Sequence, residues 1–320
     1  MHRSLPFLLV AMLLAAGCKG GAKKKQIAVI PKATSHFFWV SVQAGALAAG
    51  NDLGVDVLWN GPASETEYSR QIQILDSMVA RRVDAIAIAA AERKALVQSV
   101  ERAVDANIPV TVFDSGLDSE KYMTFLATNN HEGGQLAARE LAKLTDGEGE
   151  VALLMHAPGS QSTMDREKGF EETLAKEFPK LKIVARQFGQ SDRAKSRAVA
   201  ENFLAGNPKL KGIFASAEPG SIGAALAVKA RGLEGKVKLV TFDSSDTLID
   251  NLREGVIQTM IVQDPFKIGY ESVRTLVDKL AGKTPPKRMD LSAAIVHKED
   301  LDKPETKKLL FPDVKKIVAQ

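Results

Sequence analysis

The chain has 320 residues, 45% of them hydrophobic, which is enough for one large domain or two domains of about 130–150 residues. Its 43 basic and 39 acidic residues leave a formal net charge of +4, which is too balanced for a nucleic-acid-binding surface. A single cysteine excludes a disulfide framework, so we expect the fold to depend on a sizeable hydrophobic core.

The N-terminus has the layout of an export signal. Arg3 precedes the apolar stretch 5–16, which is shorter than the roughly 20 residues needed to span a bilayer, and small residues follow. These small residues, followed by Cys18, resemble the bacterial lipobox, which implies cleavage of residues 1–17 and a diacylglycerol on the Cys18 thiol. We therefore expect an exported protein, tethered to a membrane through a lipidated flexible linker at 18–25. The alternative is a plain signal peptide with an incidental cysteine.

Beyond the linker, apolar strand-like runs alternate with amphipathic helical stretches such as 67–81 and 131–144. This βαβ alternation predicts parallel sheets covered by helices on both faces. The predicted strands are 27–31, 55–59, 84–89, 109–113 and 123–127 in the first half, and 150–155, 181–188, 211–215, 237–242 and 257–262 in the second, with a short strand at 293–296 and a loop at 284–288.

The two halves share a local signature. A predicted strand ends in Phe113-Asp114-Ser115 in the first half and in Phe242-Asp243-Ser244 in the second. Open α/β sheets bind ligands at the carboxyl ends of their strands. We therefore predict an α/β protein of two similar Rossmann-like lobes, with Asp114 and Asp243 facing one cleft. The alternative role of each aspartate is to cap the helix that follows it.

Signatures of catalysis and of metal binding are missing. There is no Walker loop and no H-E-x-x-H motif, and the five histidines lack ligand spacing. We expect neither an enzyme nor a cofactor nor a metal site.

Several short motifs follow one another in a recognisable order. The first strand leads to Phe37-Phe38-Trp39 at the start of a helix, and the later motifs are Asp114, Thr128-Asn129-Asn130 with Gly133-Gly134, Arg166 before Gly169-Phe170, Phe242-Asp243, and Gln263 before Pro265. Over residues 26–300 this series resembles the periplasmic sugar-binding proteins of the ribose-binding group, which serve ABC importers and share a fold with the ligand cores of LacI-type repressors. Ile30-Pro31-Lys32, Gly61-Pro62 and Gln187-Phe188-Gly189 resemble the rhamnose- and autoinducer-2-binding branch.

The resemblance implies a monosaccharide pocket. Aromatic rings can cover the C–H faces of a sugar, while carboxylates and a guanidinium bind its oxygens. A surface ion pair with Asp165 or Glu167 is the alternative for Arg166. Ser115 stands where the ribose group places arginine, so we expect a pentose, hexose or deoxysugar without naming one. The implied sugar contacts are Lys32, Phe37, Phe38, Trp39, Asp114, Ser115, Arg166, Glu218, Asp243 and Gln263.

The resemblance also implies a mechanism, in which a three-stranded hinge at Asn129, Asn130 and Asp264 lets the lobes close on the sugar. A closed monomer would then deliver the sugar to a membrane permease, or would act as a ligand-sensing receptor on the same fold. A repressor would need a helix-turn-helix ahead of the first strand, where only the signal and linker lie. The predicted division is 26–128 plus 264–290 for the N-terminal lobe, 129–263 plus 291–300 for the C-terminal lobe, and 301–320 for a surface tail.

Overall fold

The computed structural model describes residues 24–312 together with Val314 and Val318. The predicted signal sequence and Cys18 lie outside the described residues. The strands are β1 Gln26–Ile30, β2 Asp56–Trp59, β3 Ala85–Ile88, β4 Val110–Phe113, β5 Thr124–Thr128, β6 Gly149–Met155, β7 Leu181–Phe188, β8 Leu210–Ala215, β9 Lys238–Phe242, β10 Thr259–Val262, β11 Arg288–Leu291 and β12 Ala294–Val296. The helices are α1 Phe37–Leu53, α2 Tyr68–Ala80, α3 Val97–Asp105, α4 Asn130–Leu144, α5 Gln161–Glu177, α6 Arg193–Gly206, α7 Glu218–Ala230, α8 Asp246–Arg253, α9 Pro265–Leu280 and α10 Pro304–Leu310.

Two six-stranded sheets form the two lobes, and this confirms the predicted fold class. The first sheet has the order β11-β5-β4-β3-β1-β2 and is parallel throughout. The second has the order β12-β10-β9-β8-β6-β7 and is parallel except for β12, which runs antiparallel to β10. Every residue of β3 and β4 is buried, which explains why these strands read as continuous apolar runs. Within the described residues, no helix has the length and apolar character needed to cross a membrane.

Three chain crossings join the lobes, between β5 and α4, between β10 and α9, and between β11 and β12. The Asn129 N–H donates to the Leu291 carbonyl at 2.8 Å, which ties the first crossing to the third. The Asp264 carboxylate caps α9 by accepting from the Lys267 N–H at 2.9 Å. The residues predicted to form the hinge therefore lie at helix starts, where small changes in backbone dihedrals can be absorbed.

Two segments near the C-terminus differ from the prediction. Strand β11 was not predicted, because its sequence, Arg-Met-Asp-Leu, has only two apolar residues. This strand lies at the edge of the first sheet, beside β5. The predicted surface tail is wrong in its first part, since Leu301 and Leu310 are 5% and 1% exposed and belong to the hydrophobic core of the second lobe.

Each lobe contains a pair of helices whose backbones meet at a glycine. In the first lobe α1 packs on α9, and a Cβ on Gly45 would lie 1.9 Å from the Phe266 carbonyl oxygen. In the second lobe α5 packs on α4, and a Cβ on Gly134 would lie 1.9 Å from the Arg166 carbonyl oxygen. The second glycine contact therefore sets the distance between α4 and the helix that carries Arg166.

We expect Gly45→Ala to lower the free energy of unfolding by about 3 kcal/mol, because the added methyl group collides with backbone that cannot move aside. Gly206→Ala is the matched control. It lies at the end of α6 with no atom within 4 Å of the added Cβ, and should be neutral or slightly stabilising. Urea denaturation measures both, and equal stabilities for the two variants would contradict the helix contact.

Candidate functional site

The carboxyl ends of the strands from both sheets meet at one small interlobe cavity. The free volume of the cavity is about 20 Å³, which is room for about one water molecule. The lobes therefore touch closely around it. Eight of the ten predicted sugar contacts line this cavity: Lys32, Phe38, Trp39, Asp114, Arg166, Glu218, Asp243 and Gln263. Seven further residues complete the lining: His36, Glu65, His156, Ser162, Thr163, Ala217 and Pro219.

Asp114 and Asp243 occupy equivalent positions after β4 and β9. Both adopt left-handed backbone conformations, with φ of 56° and 73°, a geometry that aspartate tolerates better than most residues. Neither caps the next helix: Ser245 caps α8, and no helix follows Asp114 directly. The Asp243 carboxylate instead accepts from Gln263 Nε2 at 2.7 Å and from the Glu218 N–H at 2.9 Å. The N-capping alternative is therefore wrong for both aspartates.

The Asp114 carboxylate lacks such donors. Its residue is 3% exposed, and no described residue donates a hydrogen bond to the carboxylate. The nearest cationic atom is Lys32 Nζ, at 3.7 Å from Oδ2. Burial raises the pKa of Asp114 to about 6, although Lys32 and Arg166 oppose the shift. The cavity wall thus presents one carboxylate whose hydrogen-bonding capacity is unused.

Arg166 is held rigidly from two sides. Its Nε donates to Asn130 Oδ1 at 2.8 Å and its Nη1 donates to the Ser216 carbonyl at 2.9 Å. The guanidinium carbon lies 3.9 Å from the centroid of the Phe242 ring, a cation–π contact. The side chain is buried and makes no surface ion pair with Asp165 or Glu167, so that alternative is wrong. No described residue accepts from Nη2, which leaves one edge of the guanidinium for another partner.

Glu218 and the start of α1 join the lobes on another side of the cavity. Glu218 Oε2 accepts from the Phe38 N–H at 3.1 Å, and its Oε1 contacts Arg193 Nη2 at 2.8 Å. Burial raises the pKa of Glu218, and the Phe38 N–H opposes this shift. The Phe38 ring meets the Trp39 ring edge to face, with centroids 4.9 Å apart. These contacts place two aromatic rings and a carboxylate on the same cavity wall.

Two predicted sugar contacts, Phe37 and Ser115, do not line the cavity. Phe37 is half-buried at the first position of α1, and as the neighbour of Phe38 it points to a different side of the helix. Ser115 is fully buried and its Oγ accepts from the Ser162 N–H at 3.3 Å. The structure does not bring either residue to the candidate site.

Sequence reasoning missed a buried ionic network on the cavity wall. Glu65 Oε2 lies 3.1 Å from Lys32 Nζ and 2.9 Å from His156 Nε2. Glu65 Oε1 accepts from Trp39 Nε1 at 2.9 Å. Burial alone would raise the pKa of Glu65, but Lys32 and then His156 hold it well below the usual value. The available signal was position, because His156 directly follows β6 and Glu65 lies in the loop after β2.

Glu167 supports this wall from behind. Its Oε1 accepts both the His156 N–H at 2.9 Å and the Ser216 hydroxyl at 2.8 Å. Burial raises the pKa of Glu167 to about 7, while these hydrogen bonds oppose the shift. Among the described residues, no group of three or more histidine, cysteine, aspartate or glutamate side chains is arranged to hold a metal ion.

We expect Glu167→Gln to stabilise the protein more at pH 8 than at pH 5. The pKa of Glu167 is higher in the folded than in the unfolded state, so the wild type loses stability as pH rises through about 7. Glutamine keeps an acceptor oxygen for both hydrogen bonds and cannot ionise. Urea denaturation should show the difference between variant and wild type growing by about 2 kcal/mol from pH 5 to pH 8. An unchanged difference would contradict the raised pKa.

Comparison with known proteins places this site in a family. The profile described as "Periplasmic binding protein domain" matches residues 27–284. The chain is 30% identical to the D-ribose/D-allose-binding protein of Pseudomonas aeruginosa over 84% of this chain and 86% of that protein. It resembles the structure of a carbohydrate transporter solute-binding protein from Agrobacterium radiobacter in complex with D-arabinose (TM-score 0.87, 34% identity, 90% of this chain and 99% of that one). It also resembles an ABC transporter solute-binding protein from Agrobacterium vitis with bound D-fucose (TM-score 0.87, 34% identity, 89% of this chain and 100% of that one). The two lobes, the cavity between them and the match over most of the chain show that this protein belongs to the periplasmic binding protein family.

Proposed function

We propose that the protein captures a neutral monosaccharide between its lobes and delivers it to the membrane permease of an ABC importer. The observation that carries the proposal is the unused hydrogen-bonding capacity on the cavity wall. The Asp114 carboxylate accepts no hydrogen bond from a described residue, and Gln263 Oε1 is buried without a partner. Buried polar groups are costly unless they are satisfied, and sugar hydroxyls can donate to both of them.

The ligand class follows from the mixture of groups. The lobes must move apart to admit a sugar, and Trp39 and Phe38 can then cover an apolar sugar face while Asp114 and Arg166 bind hydroxyl and ring oxygens. One relative of this chain is named for ribose and allose, and two similar structures hold D-arabinose and D-fucose, so that pentoses, hexoses and a deoxysugar are all represented. We place the ligand of this protein in the same range, and the proposal needs neither a cofactor nor catalysis.

The proposed location is the periplasmic or outer face of a membrane, as the family name implies. The lipobox-like sequence supports cleavage of the signal and a lipid anchor at Cys18. The protein would act as a tethered monomer, and hinge bending at Asn129, Asn130 and Asp264 would accompany ligand capture.

The first test is a thermal-shift screen of the purified protein against pentoses, hexoses, deoxysugars and polyols. At 100 times its Kd, a ligand adds about 2.7 kcal/mol to stability. Asp114→Asn should raise the Kd of the ligand at least tenfold, because hydrogen bonds to a charged acceptor are lost. Asp250→Asn is the control, since Asp250 is largely exposed on α8, pairs with Arg253 and does not line the cavity. A folded protein that responds to no sugar would contradict the proposal.

Sugar affinity should also depend on pH through Asp114. The ionised carboxylate is the better acceptor, and its pKa in the ligand-free protein is about 6. Isothermal titration calorimetry should therefore give a Kd about tenfold higher at pH 5 than at pH 8. In Asp114→Asn this tenfold difference should disappear. A pH dependence that survives the substitution would assign it to another group.

A further inference from the structure

The loop between β2 and α2 places Glu65 in the cavity wall of the first lobe. Glu67 Oε2 braces this loop by accepting the Ala63 and Ser64 N–H groups at 3.1 and 3.3 Å. Glu65 itself is 8% exposed. A carboxylate this deeply buried needs several partners, and a braced loop fixes where those partners must be.

The partners of Glu65 come from both lobes. Trp39, Lys32 and His36 belong to its own lobe, with His36 Nδ1 at 3.5 Å from Glu65 Oε1. His156 follows β6 of the opposite lobe. Lys32 in turn donates across the cleft to Ser160 Oγ at 3.0 Å, and lies 3.5 Å from Ser162 Oγ. The ion pair of one lobe is therefore completed by hydrogen bonds from the other.

The energetics of this arrangement depend on closure. When the lobes separate, water can hydrogen-bond to Glu65 and Lys32. When the lobes close, both charges leave water, and an ion pair so buried is favourable only if further hydrogen bonds satisfy it. His156 supplies one of these bonds to Glu65, and Ser160 supplies one to Lys32. Removal of His156 or Ser160 would leave Glu65 or Lys32 with one hydrogen bond fewer, and only in the closed form, where water cannot replace it.

We propose that Glu65 and His156 form an interlobe latch, a buried hydrogen bond that favours the closed form through protein contacts in addition to those of a ligand. Glu65 is then a positioning residue, because it holds Lys32 and Trp39 against the cavity while it binds the opposite lobe. The effect on sugar capture rests on the function proposed above, whereas the effect on closure does not.

Closure can be measured without a ligand. Trp39 is a built-in reporter, since it is 1% exposed and donates to Glu65. In a Trp59→Phe background, acrylamide quenching reports the exposure of Trp39, and small-angle X-ray scattering gives the radius of gyration. Protein that has been unfolded, dialysed and refolded is free of carried-over sugar. We expect His156→Ala to increase both the quenching constant and the radius of gyration, and His156→Gln, which retains a donor, to restore much of the wild-type behaviour.

Two further variants sharpen the test. Glu65→Ala should have the same effect as His156→Ala, and the double substitution should add little to either. His131 and Glu172 provide the control, because they also lie 2.8 Å apart but are largely exposed and both belong to the second lobe. His131→Ala should leave both measurements unchanged. Circular dichroism checks folding, and if Glu65→Ala fails to fold, the comparison of His156→Ala with His156→Gln decides.

Unchanged quenching and radius of gyration in folded His156→Ala would overturn the latch. So would a ligand-free wild type already as expanded as the variant. For a sugar found in the screen, the latch predicts a Kd raised at least tenfold in His156→Ala and a return to the compact radius at saturation. If no sugar binds but the ligand-free measurements change as expected, the latch stands and the proposed function fails.

Discussion

Charge buried between the two lobes is the constraint on which the rest of the site depends. Every ionic group on the cavity wall leaves water when the lobes meet, so each needs a partner there. Asp243 finds both of its donors within the second lobe, and Arg166 is anchored there as well. Glu65 and Lys32 rely on the opposite lobe, and Asp114 receives no hydrogen bond from the described protein. The polar groups of the cavity wall are thus satisfied to different degrees by the protein itself.

The sheets that carry these groups were largely predictable from sequence. Strands such as β3 and β4 are buried on both faces, so their continuous apolar runs were visible without any partner. Strand β11 was not predictable in this way, because it is a half-polar edge strand. It becomes a strand only by pairing with β5, whose residues are more than 150 positions earlier in the chain. Local sequence carries little information about such a pairing.

The residues of the candidate site likewise divide into those that local sequence could predict and those that it could not. Asp114 and Asp243 could be predicted because each follows a buried strand in a repeated motif, and parallel strands bring their carboxyl ends to one edge. Of the adjacent phenylalanines only Phe38 lines the cavity, since neighbouring positions on a helix point about 100° apart. Glu65 and His156 were missed because their contact spans 91 residues and two lobes. Nothing in either local sequence reveals a charge balance that exists only when the lobes meet.

The order of the segments along the chain also sets when each part of the two lobes becomes available during synthesis. The five strands β6 to β10 and helix α4 of the second lobe are contiguous in sequence. The first lobe instead waits for α9, whose Ile268, Val273 and Leu276 share a hydrophobic core with Ile27 and Val29 of β1. Because the chain is synthesised from its N-terminus, one face of the first sheet stays uncovered until synthesis has passed residue 280. The lobe that begins the chain therefore stays incomplete while β6 to β10 of the second lobe are made, and until α9 follows, its uncovered apolar face is exposed to aggregation.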